Sequence, residues 1–278
     1  MSARRGPHAP PPASLVDALA EAVAEVGALL RQWRSDPAAT AGRWHDGQFK
    51  AGADTRAHDA LSARLRRISP STPVISEEDP GPAAGGRRPD RYWLIDPLDG
   101  TASYAHGFPG YVTQATLMVD ARPLAAAVHA PETGVLYTAV HGMGAAANGR
   151  MLPRVAPAPP GTGVLTDNTP EPGGIARAAY DHFGYGGYLE CGGISLKLCR
   201  IAEGAAHLLV KDVPVRDWDV AAPDLLLRET GCHLSRLDGT PFDYRGDLEG
   251  TGVIGAADPG TGTAVASWHR EREGHPIG

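Results

Sequence analysis

The stretch 93-WLIDPLDGT-101 constrains this chain more than any other. Trp93, Leu94 and Ile95 read as the end of a buried strand, which spans 92 to 95 and runs directly into Asp96-Pro97-Leu98-Asp99-Gly100-Thr101. An ionised carboxylate beside low-dielectric protein loses solvation free energy unless a cation, hydrogen bonds or water compensate it. Something positive is therefore expected near two carboxylates where a strand leaves the core. The proline fixes a bend that lets both carboxylates and the Leu98 carbonyl face one point. Gly100 and Thr101 then open a helix whose free N–H groups attract phosphate.

The rest of the chain must supply the core and the remaining ligands. With 278 residues it can form one large domain or two halves sharing an interface. A hydrophobic fraction of 42% with 21% charged residues fits a soluble globular protein. A net charge of -6 argues against binding a nucleic-acid polymer, yet small anions stay within reach if a metal supplies the charge. Cys191, Cys199 and Cys232 form no CxxC pair, so neither a disulfide framework nor a zinc knuckle is indicated and a reducing cytoplasm is expected. No apolar run approaches a membrane span, and the N-terminus lacks a signal-peptide core.

Residues 1–13, rich in Pro and Ala, read as a disordered tail. Ser14 stands as an N-cap with Asp17 three residues on, and Leu15, Leu19, Val23, Val26, Leu29 and Leu30 recur at helical spacing through Trp33. After a polar connection, Ala57, Leu61, Leu65 and Ile68 mark a second helix over 54–68 with Asp54 at its head. Val74-Ile75 is a short strand ending in Ser76-Glu77-Glu78-Asp79, and 80–91 is a loop. The runs 112–119, 124–129 and 135–140, separated by turn residues, predict an antiparallel meander. Proline-rich 153–160 is the joint between an N-terminal half, 14–152, and a C-terminal half, 153–278, with helices over 196–203 and 221–230 and strands at 164–165, 208–210 and 253–254.

Asp54, Glu77, Glu78, Asp96, Asp99 and Asp219 all fall at ends of strands or starts of helices, where active-site groups gather. Hard oxygen donors without nearby His or Cys pairs favour Mg²⁺, Mn²⁺ or Ca²⁺ over zinc. Taken singly, Asp99-Gly100 is a turn, Glu77-Glu78 a solvated pair and Asp217-Trp218-Asp219 a helix cap. Their joint occurrence shifts the balance toward a metal site.

The combination 74-VISEED-79, 93-WLIDPLDGT-101, 106-HGFP-109, 144-GAAANG-149 and 218-WDVAAPD-224 resembles the inositol monophosphatase superfamily, which includes 3′(2′),5′-bisphosphate nucleotidases. The resemblance spans about residues 15–255 and implies a mixed α/β (α+β) fold, a layered αβαβα sandwich of the inositol monophosphatase and fructose-1,6-bisphosphatase type. It also implies a lithium-sensitive, Mg²⁺-dependent phosphatase, often a homodimer, that uses two to three ions, with Mn²⁺ as a substitute. Carried over by position, Glu77, Asp96, the Leu98 carbonyl, Asp99 and Asp219 are the metal ligands, and Asp54 is an acid near a third, weaker ion. Thr101 and Glu77 orient the attacking water, so Glu77, Thr101 and Asp54 form the catalytic set. Two departures stand out. Gln48-Phe49-Lys50-Ala51 replaces the usual Ser/Thr-Pro-Val-Thr run, which puts the third ion in question, and Ser103 precedes Tyr104 where Asn or Glu is common.

The leaving group is read from fewer residues. Asp99, Gly100, Thr101, Ser195, Lys197, Asp212 and Asp219 are the substrate-binding candidates. Asp212 lies seven residues before Asp219, where inositol phosphatases carry a hydroxyl-binding Glu, and an acid there disfavours a second phosphate. Lys197 argues the other way, although a helix lysine is more often solvated. The expected substrate is a singly phosphorylated polyol, sugar or nucleoside, with a 3′(2′),5′-bisphosphate nucleotide as the alternative. A protein that binds a phosphate ligand without turnover is the reading of another class. The loose dinucleotide pattern 142-GMGAAA-147 fails because Asn148-Gly149 and Pro153 leave no room for a helix, so a hairpin is expected. Ser195 lacks a nucleophile-elbow context, and His106, His129 and His141 have no helical metal-binding partner.

Overall fold

The structure, a computed structural model, describes residues 11–45, 48–83, 87–158 and 161–274; the first ten residues of the expected tail lie outside them. The chain opens with α1 (Ala13–Trp33), the short α2 (Pro37–Thr40), a hairpin of β1 (Gly42–His45) and β2 (Gln48–Ala51), and α3 (Gly52–Ile68). Next come β3 (Val74–Ser76), β4 (Arg91–Asp99), α4 (Thr101–Ala105), β5 (Val112–Val119), β6 (Arg122–Ala130), β7 (Val135–Val140), β8 (Gly144–Ala147) and β9 (Arg150–Met151). The remainder holds β10 (Val164–Asp167), α5 (Gly174–Phe183), β11 (Gly187–Glu190), α6 (Ile194–Ala202) and β12 (Leu208–Arg216). It closes with α7 (Asp217–Thr230), β13 (His233–Ser235), β14 (Glu249–Ala256) and α8 (Pro259–Gly274).

Strands β3 to β9 form a seven-stranded sheet in sequence order, parallel only between β3 and β4. A five-stranded sheet follows the order β11-β10-β12-β14-β13, with β14 antiparallel to both of its neighbours. Leu19, Val23, Val26 and Leu30 of α1 and Ala57, Leu61 and Leu65 of α3 pack with Trp93, Ile95 and Leu117 on one face of the larger sheet. On its other face, α6 and α7 bury Leu198, Ile201, Leu225 and Leu226 against Val128, Tyr137 and Leu209. Beyond the smaller sheet, Ala176 and Ala179 of α5 and Val265, Ala266 and Trp268 of α8 close the last core. The order is therefore α1/α3, sheet, α6/α7, sheet, α5/α8, an αβαβα sandwich whose middle layer touches both sheets.

Several boundaries differ from the sequence reading. Ser14 is not the N-cap of α1: Pro12 takes that place, at φ −55° and ψ 142°, with no side-chain cap. The polar connection after α1 contains α2 and the β1–β2 hairpin, in which Trp44 pairs with Phe49. β4 does not end at Ile95; Asp96 pairs with Gln114 and Asp99 with Val112 on either side of a bulge. Pro97 has no N–H to give the ladder, so the strand throws it out and resumes. α7 starts at Asp217 rather than Ala221, with Pro223 inside it. The meander and the β8–β9 hairpin are as expected, the latter turning through Asn148 and Gly149 at φ 49° and 76°.

Candidate metal centre and its cleft

Two helices hold a carboxylate at the acidic site by the same local device. Asp54 is the third residue of α3 and Asp219 the third of α7. Each reaches back to an orphan amide: Ala51 N–H donates to Asp54 Oδ2 at 2.8 Å, and Arg216 N–H to Asp219 Oδ2 at 2.7 Å. A carboxylate in the first turn also suits the positive end of a helix. The bulge in β4 aims the other acids, with Leu98 N–H donating to Asp96 Oδ1 at 3.1 Å. Glu77 follows the end of β3, which the parallel pairing Ser76↔Ile95 sets beside this point.

The segment before α6 locks the arrangement. Gly193 N–H donates to Gly110 O at 2.8 Å, and Ser195 N–H to Asp99 Oδ2 at 2.9 Å. The approach is so close that a Cβ on Gly192 would lie 1.7 Å from Gly110 O, and one on Gly193 2.1 Å from Asp99 Oδ2. Pro223, which lacks an N–H, leaves the carbonyl four residues earlier, that of Asp219, without its helical donor, and Ser195 Oγ–H donates there at 2.8 Å. Gln114 Nε2 donates both to Ser195 Oγ at 2.5 Å and to Trp218 O at 2.8 Å, joining β5, α6 and α7. At the head of α7, the Arg88 guanidinium meets Asp217 Oδ2 at 2.5 Å, both side chains almost fully buried.

Thr101 Oγ–H is shared between Asp54 Oδ1 at 2.8 Å and Leu98 O at 3.1 Å. Gly100 turns the chain into α4 at φ +86°, a conformation that favours glycine. Glu77, Asp96, Leu98, Asp99, Gly100, Thr101 and Asp219 all line one cleft of about 590 Å³. Asp54 sits behind Thr101, and one oxygen from each of Asp54, Glu77 and Glu78 lies within 4.8 Å of the other two. Burial pushes Asp96, Asp99 and Asp219 above the usual carboxylate range, and the mutual repulsion of these acids and Glu77 adds to it. Asp54 is raised to about 7, chiefly by burial, against the pull of its bonds to Ala51 and Thr101. The cluster thus resists its own charge, and its donors are hard oxygens with neither Cys nor His among them, which fits a divalent ion of the Mg²⁺ or Mn²⁺ kind.

Two substrate-binding candidates lie elsewhere. Ser195 is fully buried and serves Asp99 and Asp219 from behind instead of facing the cleft. Asp212 is exposed on the outer face of β12 beside Ile175, His269 and Arg272, because strand alternation turns Lys211 and Val213 inward and Asp212 out. Lys197 does reach the cleft; its Nζ donates to Gly192 O at 2.7 Å, and burial, with repulsion from Lys211, pushes it down to about 8.

Other cleft residues were not read from the sequence. Lys211 pairs with Asp167 at 2.6 Å and donates to Asn168 Oδ1 at 2.7 Å. Trp44, Phe49 and His106 form one wall, with ring centroids 5.7 Å and 5.3 Å apart along the row. Lys50 of β2 sits on Glu77 and Glu78. The signal for this hairpin was the Asp46-Gly47 dipeptide between Trp44-His45 and Gln48-Phe49.

The chain is similar to known proteins along most of its length. The sequence model of the inositol monophosphatase family matches residues 12–271. The 3′(2′),5′-bisphosphate nucleotidase CysQ of Escherichia coli is 31% identical over 194 residues, 69% of this chain and 78% of that protein. An inositol-1-monophosphatase of Mesorhizobium japonicum is 29% identical, covering 69% of this chain and 74% of its own. Among solved structures, the Thermotoga maritima IMPase superposes with a TM-score of 0.79 at 19% identity, covering 93% of this chain and 99% of that one. The fold, the acid-lined cleft and the match along nearly the whole sequence lead to one conclusion: the chain belongs to the inositol monophosphatase family.

Proposed function

We propose that the protein is a metal-dependent phosphoric monoester hydrolase acting on a small phosphorylated molecule. The observation that carries this reading is the convergence of Glu77, Asp96, Asp99 and Asp219, from three separate stretches of chain, on the floor of one cleft where burial and mutual repulsion oppose their charge. Glu77, Asp96, the Leu98 carbonyl, Asp99 and Asp219 would hold two ions, Mg²⁺ or Mn²⁺. When bound, such ions neutralise a phosphate dianion and make water a better nucleophile. The protein's own part is to position the reactants. Thr101 Oγ–H is committed to Asp54 and Leu98 O, so its lone pairs are left to receive a hydrogen bond from water. Glu77 accepts the second hydrogen of that water, while the N–H groups of Gly100 and Thr101 receive a phosphate oxygen. A protein that binds phosphate without turnover is less consistent with so complete a donor set.

A phosphate-release assay across inositol phosphates, sugar phosphates, histidinol phosphate, nucleoside monophosphates and 3′,5′-bisphosphates, with and without Mg²⁺, tests the reading. Release that does not depend on a divalent ion, or that survives Asp99→Asn at the wild-type rate, would refute it; a loss of at least about 100-fold is expected.

Specific observations favour the bisphosphate nucleotide as a second reading. The acid expected to repel a second phosphate, Asp212, lies outside the cleft, whereas Lys211 and Lys197 line it together with Trp44 and Phe49. Two cations and an aromatic face suit a phosphorylated nucleoside. The unpaired state of Cys191, Cys199 and Cys232 agrees with a reducing compartment, which supports a cytoplasmic location.

A further inference from the structure

Lys50 sits on the acidic group formed by Glu77 and Glu78, and its position gives it a task. It lies on β2, opposite Arg43, next to Phe49, which packs against Trp44 and His106. Its Nζ is 2.9 Å from Glu77 Oε1 and also hydrogen-bonds Glu78 Oε1. Those two carboxylates and Asp54 form the tightest acidic group among the described residues. Every member of it already has a protein partner: Asp54 Oδ1 takes the Thr101 hydroxyl, Asp54 Oδ2 takes the Ala51 amide, and the glutamates share the ammonium. The other end of the site differs. Among the described residues, no hydrogen bond reaches the second oxygen of Asp96 or of Asp219.

We propose that the Lys50 ammonium is a resident cation that closes the Asp54–Glu77–Glu78 end of the acidic site to metal, so that the protein takes two divalent ions and no third. This rests on the metal-site reading given above. A divalent ion at that end must displace the ammonium or lie beside it against like charge. Displacement is opposed because the lysine is tethered: the hairpin that carries it is held at the cleft wall, so the ammonium competes at a high local concentration. Lys50 engages Oε1 of Glu77, so Oε2 would remain available to the two ions that Glu77, Asp96, Asp99 and Asp219 would hold.

Equilibrium dialysis of the full chain against Mn²⁺, with metal analysis of the bound fraction, tests this without reference to turnover. Wild type should saturate at about two Mn²⁺ per chain, Lys50→Arg at the same number, and Lys50→Gln and Lys50→Met at about three. Three ions on wild type would overturn the proposal even if neither neutral variant folds, as would two ions on a folded Lys50→Gln or Lys50→Met. Fewer than two ions on wild type would instead sink the metal-site reading on which the proposal rests. The counts therefore separate the two failures.

Discussion

Asp99 shows how much of this site depends on backbone that carries no side chain. Its Oδ2 accepts Ser195 N–H at 2.9 Å, and Gly193 passes so near that an added Cβ would lie 2.1 Å from that oxygen. The φ of Gly193, −55°, suits any residue, so substitution there adds a clash and no backbone strain. Gly193→Ala should therefore displace the Asp99 carboxylate and lower phosphate release by roughly 10- to 100-fold. Thermal unfolding should move much less than activity; a variant that keeps its rate would show that this contact does not position Asp99. Thr101 offers a second test at the same scale. Its hydroxyl bridges Asp54 and the cleft, so Thr101→Ser should retain most of the rate, while the isosteric Thr101→Val should lose about 100-fold or more. Equal rates for the two variants would remove the hydroxyl from the chemistry.

At the scale of elements, α7 links the two halves of the site. It carries Asp219, frees the Asp219 carbonyl through Pro223, and is pinned at its first residue by the buried Arg88–Asp217 pair. Burial raises Asp217 to about 6, and Arg88 pulls against that rise. Removing one partner of a buried pair leaves an uncompensated charge, so Arg88→Ala should cost about 3–5 kcal/mol, read by denaturant unfolding. Arg88→Met with Asp217→Asn should recover much of that loss, and a double variant no more stable than the single one would contradict the pairing. This pair lay beyond sequence reasoning, because nothing in an 80–91 loop announces that one arginine will be buried against a helix 129 residues away. The same limit explains other misses. α8 begins Pro-Gly-Thr-Gly-Thr, a poor intrinsic helix former, and is helical because Val265, Ala266 and Trp268 pack under the five-stranded sheet. Asp212 was placed by its distance in sequence from Asp219, whereas a strand assigns faces by alternation and sent Lys211 inward instead. What was legible had local causes: the heptad-like apolar spacing of α1, the Asn-Gly hairpin, and the run Asp96–Thr101, whose proline, glycine and acids each dictate their own geometry.

At the scale of the whole molecule, the five-layer sandwich surrounds a cluster of acids that destabilises it when no cation is present. Asp54, Asp96, Asp99 and Asp219 all titrate above their ordinary range in the folded chain, mainly through burial. A group with a raised folded value contributes its stability below the unfolded value, near 3.8, and loses it as pH rises through the folded value. For Asp54 that loss runs from about 4 up to about 7. His129, His207 and His233, pushed down by burial, act in the opposite sense over part of this range, so raw melting temperatures mix the two effects. The difference in melting temperature with and without Mg²⁺ cancels the histidines, which remain the same in both samples. Metal binds only the folded site and must displace the protons held there, so its stabilisation grows as those protons leave. The Mg²⁺-induced rise should accordingly be larger at pH 7.5 than at pH 5, and it should shrink to near zero at both in Asp96→Asn. A rise of equal size at the two pH values, or one that persists undiminished in the variant, would mean that the ion binds somewhere other than these carboxylates.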